Sequence, residues 1–137
     1  MIQKLLSPIS WSANAAALSS LILRLTLGLL MLSHGIPKLI NLINGNMEFG
    51  DPIGIGAPAS LILTVFAEVL CSLLIIIGLW TRLALIPLII TMVVAVFIIH
   101  INDSLGTMEP ALMYLLSYFS LFLLGSGRFS VDAVLKK

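Results

Sequence analysis

Four apolar stretches, each close to the length of a membrane-spanning helix, constrain this chain more than any other feature. They cover approximately residues 18–39, 59–79, 83–101 and 110–124. A helix needs about 20 predominantly apolar residues to cross the hydrocarbon core of a bilayer. Only 9% of the 137 residues are charged, against about a quarter in soluble domains. The sequence therefore predicts an all-α, polytopic membrane protein, a four-helix bundle in which residues 1–137 form a single domain.

The distribution of basic residues predicts how the bundle is oriented. If the N-terminus lies in the cytoplasm, that side collects Lys4, Arg82, Arg128, Lys136 and Lys137, and the acidic loop residues lie on the other side. Lysine and arginine are preferentially retained on the cytoplasmic side. We therefore expect both termini in the cytoplasm. Residues 1–16, with Lys4 and Trp11, are candidates for a short helix lying at that interface.

Charge and cysteine usage exclude several classes of function. The net charge of +1 is spread without a basic run, which argues against nucleic acid as a partner. The single Cys71 cannot form an intramolecular disulfide. His34 and His100 lie on different predicted helices with no thiol nearby, a spacing that disfavours a metal site. We find no haem or iron–sulfur spacing either, and expect no covalently bound cofactor.

The first apolar stretch contains costly residues that share one face. At 100° per residue, Arg24, Gly28, Gly35 and Lys38 fall within one arc of the helix, with His34 at its edge. Glycines a heptad apart allow a neighbouring helix to approach closely. We therefore expect this face to point into the bundle.

The second apolar stretch carries a polar stripe centred on Glu68, with Ser60, Thr64 and Ser72 at spacings of four residues. Helix rise places Arg24 about 10 Å and Glu68 about 16 Å from the cytoplasmic ends of their helices. A charge in the bilayer is far less costly when it is paired, so we predict a structural ion pair between Arg24 and Glu68. Whether such a pair only fixes helix packing or also has a function stays open.

A second group of polar residues is predicted near the outer membrane surface. It comprises His34, Lys38, His100 and Glu109, and with Glu68 these residues form a candidate ligand or proton-relay site. We expect Glu109 to pair with Lys38, leaving the imidazoles free to bind a ligand, and the long loop between the first two helices to cover the site. The alternative is interfacial snorkelling of Lys38 and surface placement of Glu109. The sequence assigns no catalytic residue.

Three motifs, in order along the chain, carry a family resemblance. They are the first-helix set Arg24, Gly28, His34, Gly35 and Lys38, the Glu68 segment FAEVLCSLLIIIGLWTRLA, and the ending LFLLGSGRFSVD. From about residue 20 to residue 134 the chain resembles the DoxX-like family of small bacterial inner-membrane proteins. The resemblance implies a multi-pass protein of four helices, with Arg24, His34, Lys38 and Glu68 at motif positions.

The resemblance also implies a connection to redox chemistry. Some relatives are membrane parts of oxidoreductase systems, including a subunit of a thiosulfate:quinone oxidoreductase and a partner in thiol-stress complexes. Family membership does not transfer a reaction, so whether the chain is an enzyme stays open. If it is one, it would be a quinone-linked oxidoreductase subunit without a redox cofactor motif of its own.

Three classes of function therefore remain open. The first is a membrane subunit or accessory of a quinone-, thiol- or sulfur-linked redox system, with a quinone as candidate ligand and a redox protein as candidate partner. The second is a small-solute transporter, which four helices could form only as a homo-oligomer and which inverted repeats would favour. The third is a membrane scaffold that docks a partner subunit through its small-residue faces. In all three the lipid bilayer is the immediate partner.

Overall fold

The computed structural model of the chain describes residue 2 and residues 12–137, and within them it is helical without strands. Four helices in this part are long and apolar enough to cross a membrane: α1 (Ala13–Ile43), α2 (Ala57–Ile77), α3 (Thr81–Ile99) and α4 (Leu105–Leu124). A short α5 (Val131–Leu135) follows. The predicted all-α, four-helix membrane fold is confirmed. The interfacial helix expected over residues 1–16, with Lys4 and Trp11, falls mostly outside the described residues.

The helix ends differ from the predicted ones in an informative way. α1 begins five residues before the predicted 18–39 span, where the Ser12 hydroxyl accepts a hydrogen bond from the Ala15 N–H at 3.0 Å. α4 begins at Leu105 after Ser104, five residues before the predicted 110–124 span. The Ser12 side-chain cap sets the start of α1 beyond its apolar run, whereas the Ser104 side chain makes no capping hydrogen bond at α4.

The connections create two ends of the bundle with different character. The terminal end consists of residues 12–20, 77–82 and 125–137, and the loop end consists of residues 43–57 and 99–105. A three-residue turn joins α2 to α3, and in it Gly78 has φ 75°, a left-handed conformation that glycine adopts without steric cost. Neighbouring helices along the chain are therefore antiparallel.

Two glycines bring α1 and α2 into close contact. A Cβ at Gly28 would overlap the Ile76 side chain, and one at Gly35 would lie 2.9 Å from the Glu68 Cβ. The absence of a side chain at these positions lets the two backbones approach. The close helix approach predicted from these glycines is therefore present, and α2 is the helix that makes it.

Two helices contain wide, π-helical turns. In α2 the wide turn spans Phe66–Cys71 and includes Glu68, and in α3 it spans Ala95–Ile99 and ends next to His100. A π turn accommodates one extra residue in the helix and is frequently found at functional sites. Both turns in this protein lie beside polar side chains of the loop-end half of the bundle.

Apolar side chains fill the middle of the bundle and also cover its outside. Buried core residues from all four helices include Met31, Ile75, Leu85, Leu88 and Leu121. Large apolar side chains on the opposite helix faces are exposed, among them Leu29, Ile62, Ile90 and Phe119. Apolar surfaces on both sides of a helix are typical of a bilayer-embedded bundle, which makes this a multi-pass membrane protein.

Candidate functional site

The best-defined polar contact inside the bundle joins α1 to α2. Lys38 Nζ donates a hydrogen bond to Glu68 Oε2 at 2.6 Å. Glu68 is only 4% exposed, whereas the Lys38 side chain is 30% exposed. A buried carboxylate next to an ammonium keeps its charge at a lower cost. Glu68 is thus a buried carboxyl group whose partner, Lys38, still reaches a more open region.

The ion pair predicted between Arg24 and Glu68 is wrong. Arg24 is fully buried, and its guanidinium donates to the Phe129 carbonyl at 2.5 Å and to the Ile76 carbonyl at 3.4 Å. Gly35 lies opposite Glu68, and it is eleven residues beyond Arg24 on α1, or about 16 Å along the helix axis. The glycine contacts set α1 against α2 so that Arg24 lies level with Ile76 and Gly78, out of reach of Glu68.

The pair predicted between Lys38 and Glu109 is wrong as well. Glu109 is exposed on the first turns of α4, and Lys38 turns inward to Glu68. The long lysine stem reaches about one helical turn along its own helix, so depth estimates based on Cα positions misplaced its charge.

A cavity of about 270 Å³, here called the polar cavity, lies beside the ion pair. Met31 and Met92 supply much of its apolar lining, and its polar lining consists of His34, Lys38, Glu68, His100, Thr107 and Tyr114. His34 is exposed at the rim, and its ring meets the edge of the Tyr114 ring at a centroid distance of 6.0 Å. The cavity therefore gathers two imidazoles, a phenol and an ion pair.

A second cavity of about 360 Å³, here called the apolar cavity, adjoins the first. Loop residues Phe49, Pro52, Ile53 and Ile55 form its outer wall, and aliphatic side chains of α2 and α3 form the inner wall. Lys38, Glu68, Met92 and His100 line both cavities. The ion pair consequently lies at the boundary between a polar space and an apolar space.

Asp51 holds the loop over the apolar cavity. Its carboxylate accepts hydrogen bonds from the backbone N–H groups of Gly56 and Ile55, both at 2.9 Å, and from the Ser60 hydroxyl at 3.1 Å. The Gly56 N–H is the main reason that the pKa of Asp51 is lowered, with Ser60 and Ile55 adding to it. These contacts attach the loop to the start of α2, in the covering position expected from the sequence.

His100 forms a second ionisable pair at the loop end. Its Nδ1 lies 2.7 Å from Asp103 Oδ2, and 44% of the Asp103 side chain remains exposed. Asp103 was not among the site residues predicted from the sequence. Its position three residues after a histidine, in a turn that ends a helix, could have indicated the pair in the sequence. In that turn the Asp103 N–H donates a hydrogen bond to the His100 carbonyl at 3.0 Å.

The structure thus assembles most of the predicted candidate site. His34, Lys38, Glu68 and His100 line one cavity, and Glu109 does not. Tyr114 belongs to the cavity lining, although the sequence analysis gave it no role. In the sequence, its position on the same α4 face as Tyr118 could have indicated such a role. The two rings stack with their centroids 5.7 Å apart.

The terminal end contains a larger cavity, of about 570 Å³, with Arg82, Asp132 and Lys136 in its lining. Its carboxylate is already engaged, because Asp132 accepts from the Trp80 N–H at 2.7 Å and the Thr81 N–H at 3.1 Å. Burial opposes these bonds, yet together they lower the pKa of Asp132. Arg82 donates to the carbonyls of the last turn of α4. These groups hold helix ends, so the loop-end cavities are the better candidate for a ligand.

A metal site would require at least three ligand side chains close together. Within residue 2 and residues 12–137, no three side chains of His, Cys, Asp or Glu come together as metal ligands would. The candidate site is therefore described by its imidazoles, its phenol and its ion pair.

Comparison with known proteins supplies the family. No curated protein and no solved structure matches the chain significantly. The family model described as DoxX matches residues 19–101, which is more than half of the chain and includes α2 with its wide turn. The matched range holds His34, Lys38, Glu68 and His100 but ends before Asp103 and Tyr114. The chain belongs to the DoxX family.

Proposed function

We propose that this protein is a membrane subunit or accessory of a redox system in a bacterial inner membrane, and that it binds a quinone at the loop end. The observation that carries the proposal is the Lys38–Glu68 pair, which is shared by a polar cavity and an apolar cavity. A lipid-soluble quinone has the matching division into a polar ring and an apolar chain. Small-ligand sites are typically apolar pockets with a few convergent polar groups.

The side chains in the polar cavity suit the ring. Quinone carbonyls are hydrogen-bond acceptors, and Lys38, Tyr114 and the imidazole of His34 can each donate. The positive charge of Lys38 also favours negative charge on a ring oxygen. When bound, a quinone supplies the capacity to accept electrons. The contribution of this chain is to bind and orient the ring and, through Glu68, to take up or deliver a proton next to it.

The apolar cavity suits the chain of such a ligand. Its walls are aliphatic and aromatic side chains from α2, α3 and the loop, and burial of a hydrocarbon chain there contributes about 0.8 kcal/mol per CH₂ group removed from water. We further propose that both termini lie in the cytoplasm, which places this site near the outer leaflet. Electrons would then come from a redox partner protein.

Photolabelling tests the proposal directly. A photoreactive short-chain quinone added to the purified protein should label peptides that contain His34, His100 or Tyr114, and unlabelled quinone should compete. Tyr114→Phe removes a hydroxyl at the cavity and should weaken labelling, whereas Tyr118→Phe, the matched control, removes one that is buried away from the cavity lining. Labels scattered over the outer helix faces without competition would contradict quinone binding and leave a scaffold or a transporter.

The proposed orientation has its own test. A reporter active only in the cytoplasm, fused after Lys137, should be active, and a cysteine placed next to Asp51 in a Cys71→Ala background should react with an impermeant reagent from outside. The reverse pattern would place the candidate site at the cytoplasmic face instead.

A further inference from the structure

We propose that Asp103 fixes the proton of His100 on Nδ1, so that the imidazole presents an unprotonated Nε2 to the ligand and selects the reduced, hydroxyl-bearing form of a ring. This inference rests on the proposed quinone function and deepens it. It adds Asp103 to the site as a positioning residue. It also names the oxidation state of the ligand that the site binds more tightly.

The contact between the two side chains determines the tautomer. An aspartate carboxylate can only accept a hydrogen bond, so the 2.7 Å contact requires a hydrogen on Nδ1 of His100. The backbone keeps the two residues in register, since the His100 N–H bonds the Ala95 carbonyl at 2.9 Å and the Asp103 N–H bonds the His100 carbonyl. A neutral imidazole that donates from one nitrogen accepts at the other. Nε2 of His100 is therefore an acceptor whenever the imidazole is neutral.

The surroundings of His100 make that acceptor significant. His100 lines both cavities, where it faces Lys38 and His34 from α1, Glu68 from α2 and Tyr114 from α4. Lys38 is a donor only, and it occupies one oxygen, Oε2, of the Glu68 carboxylate. Nε2 of His100 has no hydrogen-bond partner within residues 12–137. It is thus an acceptor available to a ligand hydroxyl.

A hydroxyl bound there has a route for its proton. The O–H hydrogen passes to Nε2, the ligand oxygen keeps the electron pair, and the resulting anion lies next to the Lys38 ammonium. The imidazolium is stabilised by the Asp103 carboxylate, whose side chain is 44% exposed, and from there the proton leaves to bulk water at the loop end. This step transfers a proton only, and it involves no change in oxidation state.

Comparative binding tests the inference in the full-length protein. Dissociation constants for duroquinol, under reducing conditions, and duroquinone are measured on the wild type, on Asp103→Asn and on Glu109→Gln. We expect the wild type to favour duroquinol. In Asp103→Asn the amide N–H can donate to Nδ1 and move the ring proton to Nε2, so the duroquinol-to-duroquinone affinity ratio should fall about tenfold. Glu109→Gln, a matched change of an exposed acid outside both cavities, should leave the ratio unchanged.

The outcomes separate this inference from the proposed function. If both compounds bind and Asp103→Asn leaves their affinity ratio unchanged, the inference fails while quinone binding stands. If neither compound binds the wild type, both fail. Nitrogen-15 NMR of His100 in the wild type requires no variant, and it should show Nδ1 protonated and Nε2 unprotonated. The opposite tautomer would overturn the inference even if Asp103→Asn did not fold.

Discussion

Arg24 and Lys38 both carry a positive charge from α1 into an apolar bundle, and the two ends of the molecule accommodate that charge differently. Arg24 is completely buried and donates to backbone carbonyls of Ile76 and Phe129. Lys38 keeps 30% of its side-chain exposure and binds the carboxylate of Glu68 beside two cavities. Arg24 therefore connects elements of a closed structure, whereas Lys38 lies where a ligand can reach it.

The terminal end has several other contacts that close it. The Ser20 hydroxyl donates to the Gly125 carbonyl at 2.7 Å, and the Asp132 N–H donates to the Gly78 carbonyl at 2.8 Å. Polar groups there are used to attach the C-terminal segment to the helices. At the loop end, ionisable side chains line the two cavities instead. The contrast separates a cation with a structural role from one that lines two cavities, although both appear on one helix face in the sequence.

The largest expected effect is the loss of Arg24. Arg24→Met leaves the carbonyls of Ile76 and Phe129 without their charged donor, and we expect the free energy of unfolding to fall by about 3 kcal/mol. Unfolding in detergent, followed by circular dichroism, measures it. Arg82→Met is the matched control, because exposed Arg82 also donates to two carbonyls. It should cost about 0.5 kcal/mol. Equal losses in the two variants would remove the distinction between a closed and an open end.

Loss of the Glu68 charge should cost less stability than loss of Arg24 and should also weaken binding. In Glu68→Gln the Lys38 ammonium lacks its counter-ion, but it can turn toward the cavity and be hydrated, so we expect a loss of about 1–2 kcal/mol. Quinone affinity should fall about tenfold, which photolabelling measures. Glu48→Gln changes an exposed loop-end acid and should alter neither property. A stability loss as large as that of Arg24→Met would show that the pair lies in a dry interior.

The two stacked tyrosines should respond in opposite ways. The Tyr118 hydroxyl is buried without a hydrogen-bond partner within residues 12–137, so Tyr118→Phe should leave the protein as stable or up to about 1 kcal/mol more stable. Tyr114→Phe should change stability little and lower quinone affinity several-fold, by roughly the value of one hydrogen bond. Thermal unfolding and ligand titration on both variants give the two numbers. Reduced affinity in Tyr118→Phe alone would place the ligand deeper in the bundle.

The smallest effect concerns the loop that covers the apolar cavity. The hydrogen bonds that lower the pKa of Asp51 stabilise the loop while its carboxylate is ionised. A lowered folded-state pKa means that this contribution is present above the unfolded value of about 4 and is lost as the pH falls through the folded value. Hydrogen exchange at Ile55 and Gly56 should therefore accelerate below about pH 4, and Asp51→Asn should show faster exchange already at pH 7. Exchange independent of both changes would mean that other contacts hold the loop.

The sequence predicted the helices more accurately than the partners of their charges. Four apolar stretches determine four helices, and glycine spacing correctly indicated that Gly28 and Gly35 contact a neighbouring helix. The prediction of an Arg24–Glu68 pair failed because α1 packs on α2 in a register that places Gly35, and not Arg24, opposite Glu68. No periodicity rule predicts that register. The predicted Lys38–Glu109 pair failed because the lysine side chain is long, so that its charge lies about one helical turn away from its Cα.

The candidate site was predicted in part for the same reasons. Residues that are costly in a bilayer stand out in a sequence, and His34, Lys38, Glu68 and His100 were identified in that way. Asp103 lies in a polar turn where an acid has no visible cost. Only the structure, with Nδ1 of His100 2.7 Å from its carboxylate, connects it to the site.

The wide turn of α2 divides that helix into two segments with different angular phase. The segment Ser72–Ile77 is fixed against Gly28 of α1, and the segment Ala57–Val65 carries the loop that covers the apolar cavity. Removing one residue from Phe66–Cys71 would restore a plain α-helix, and it would rotate the outer segment by about 100° and shift it by about 1.5 Å relative to the inner one. The length of α2 could then change by a residue without disturbing the terminal half of the bundle, while the loop would no longer face the cavity. Tolerance to insertions and deletions in this helix is therefore set by the site, and not by the requirement to cross a bilayer.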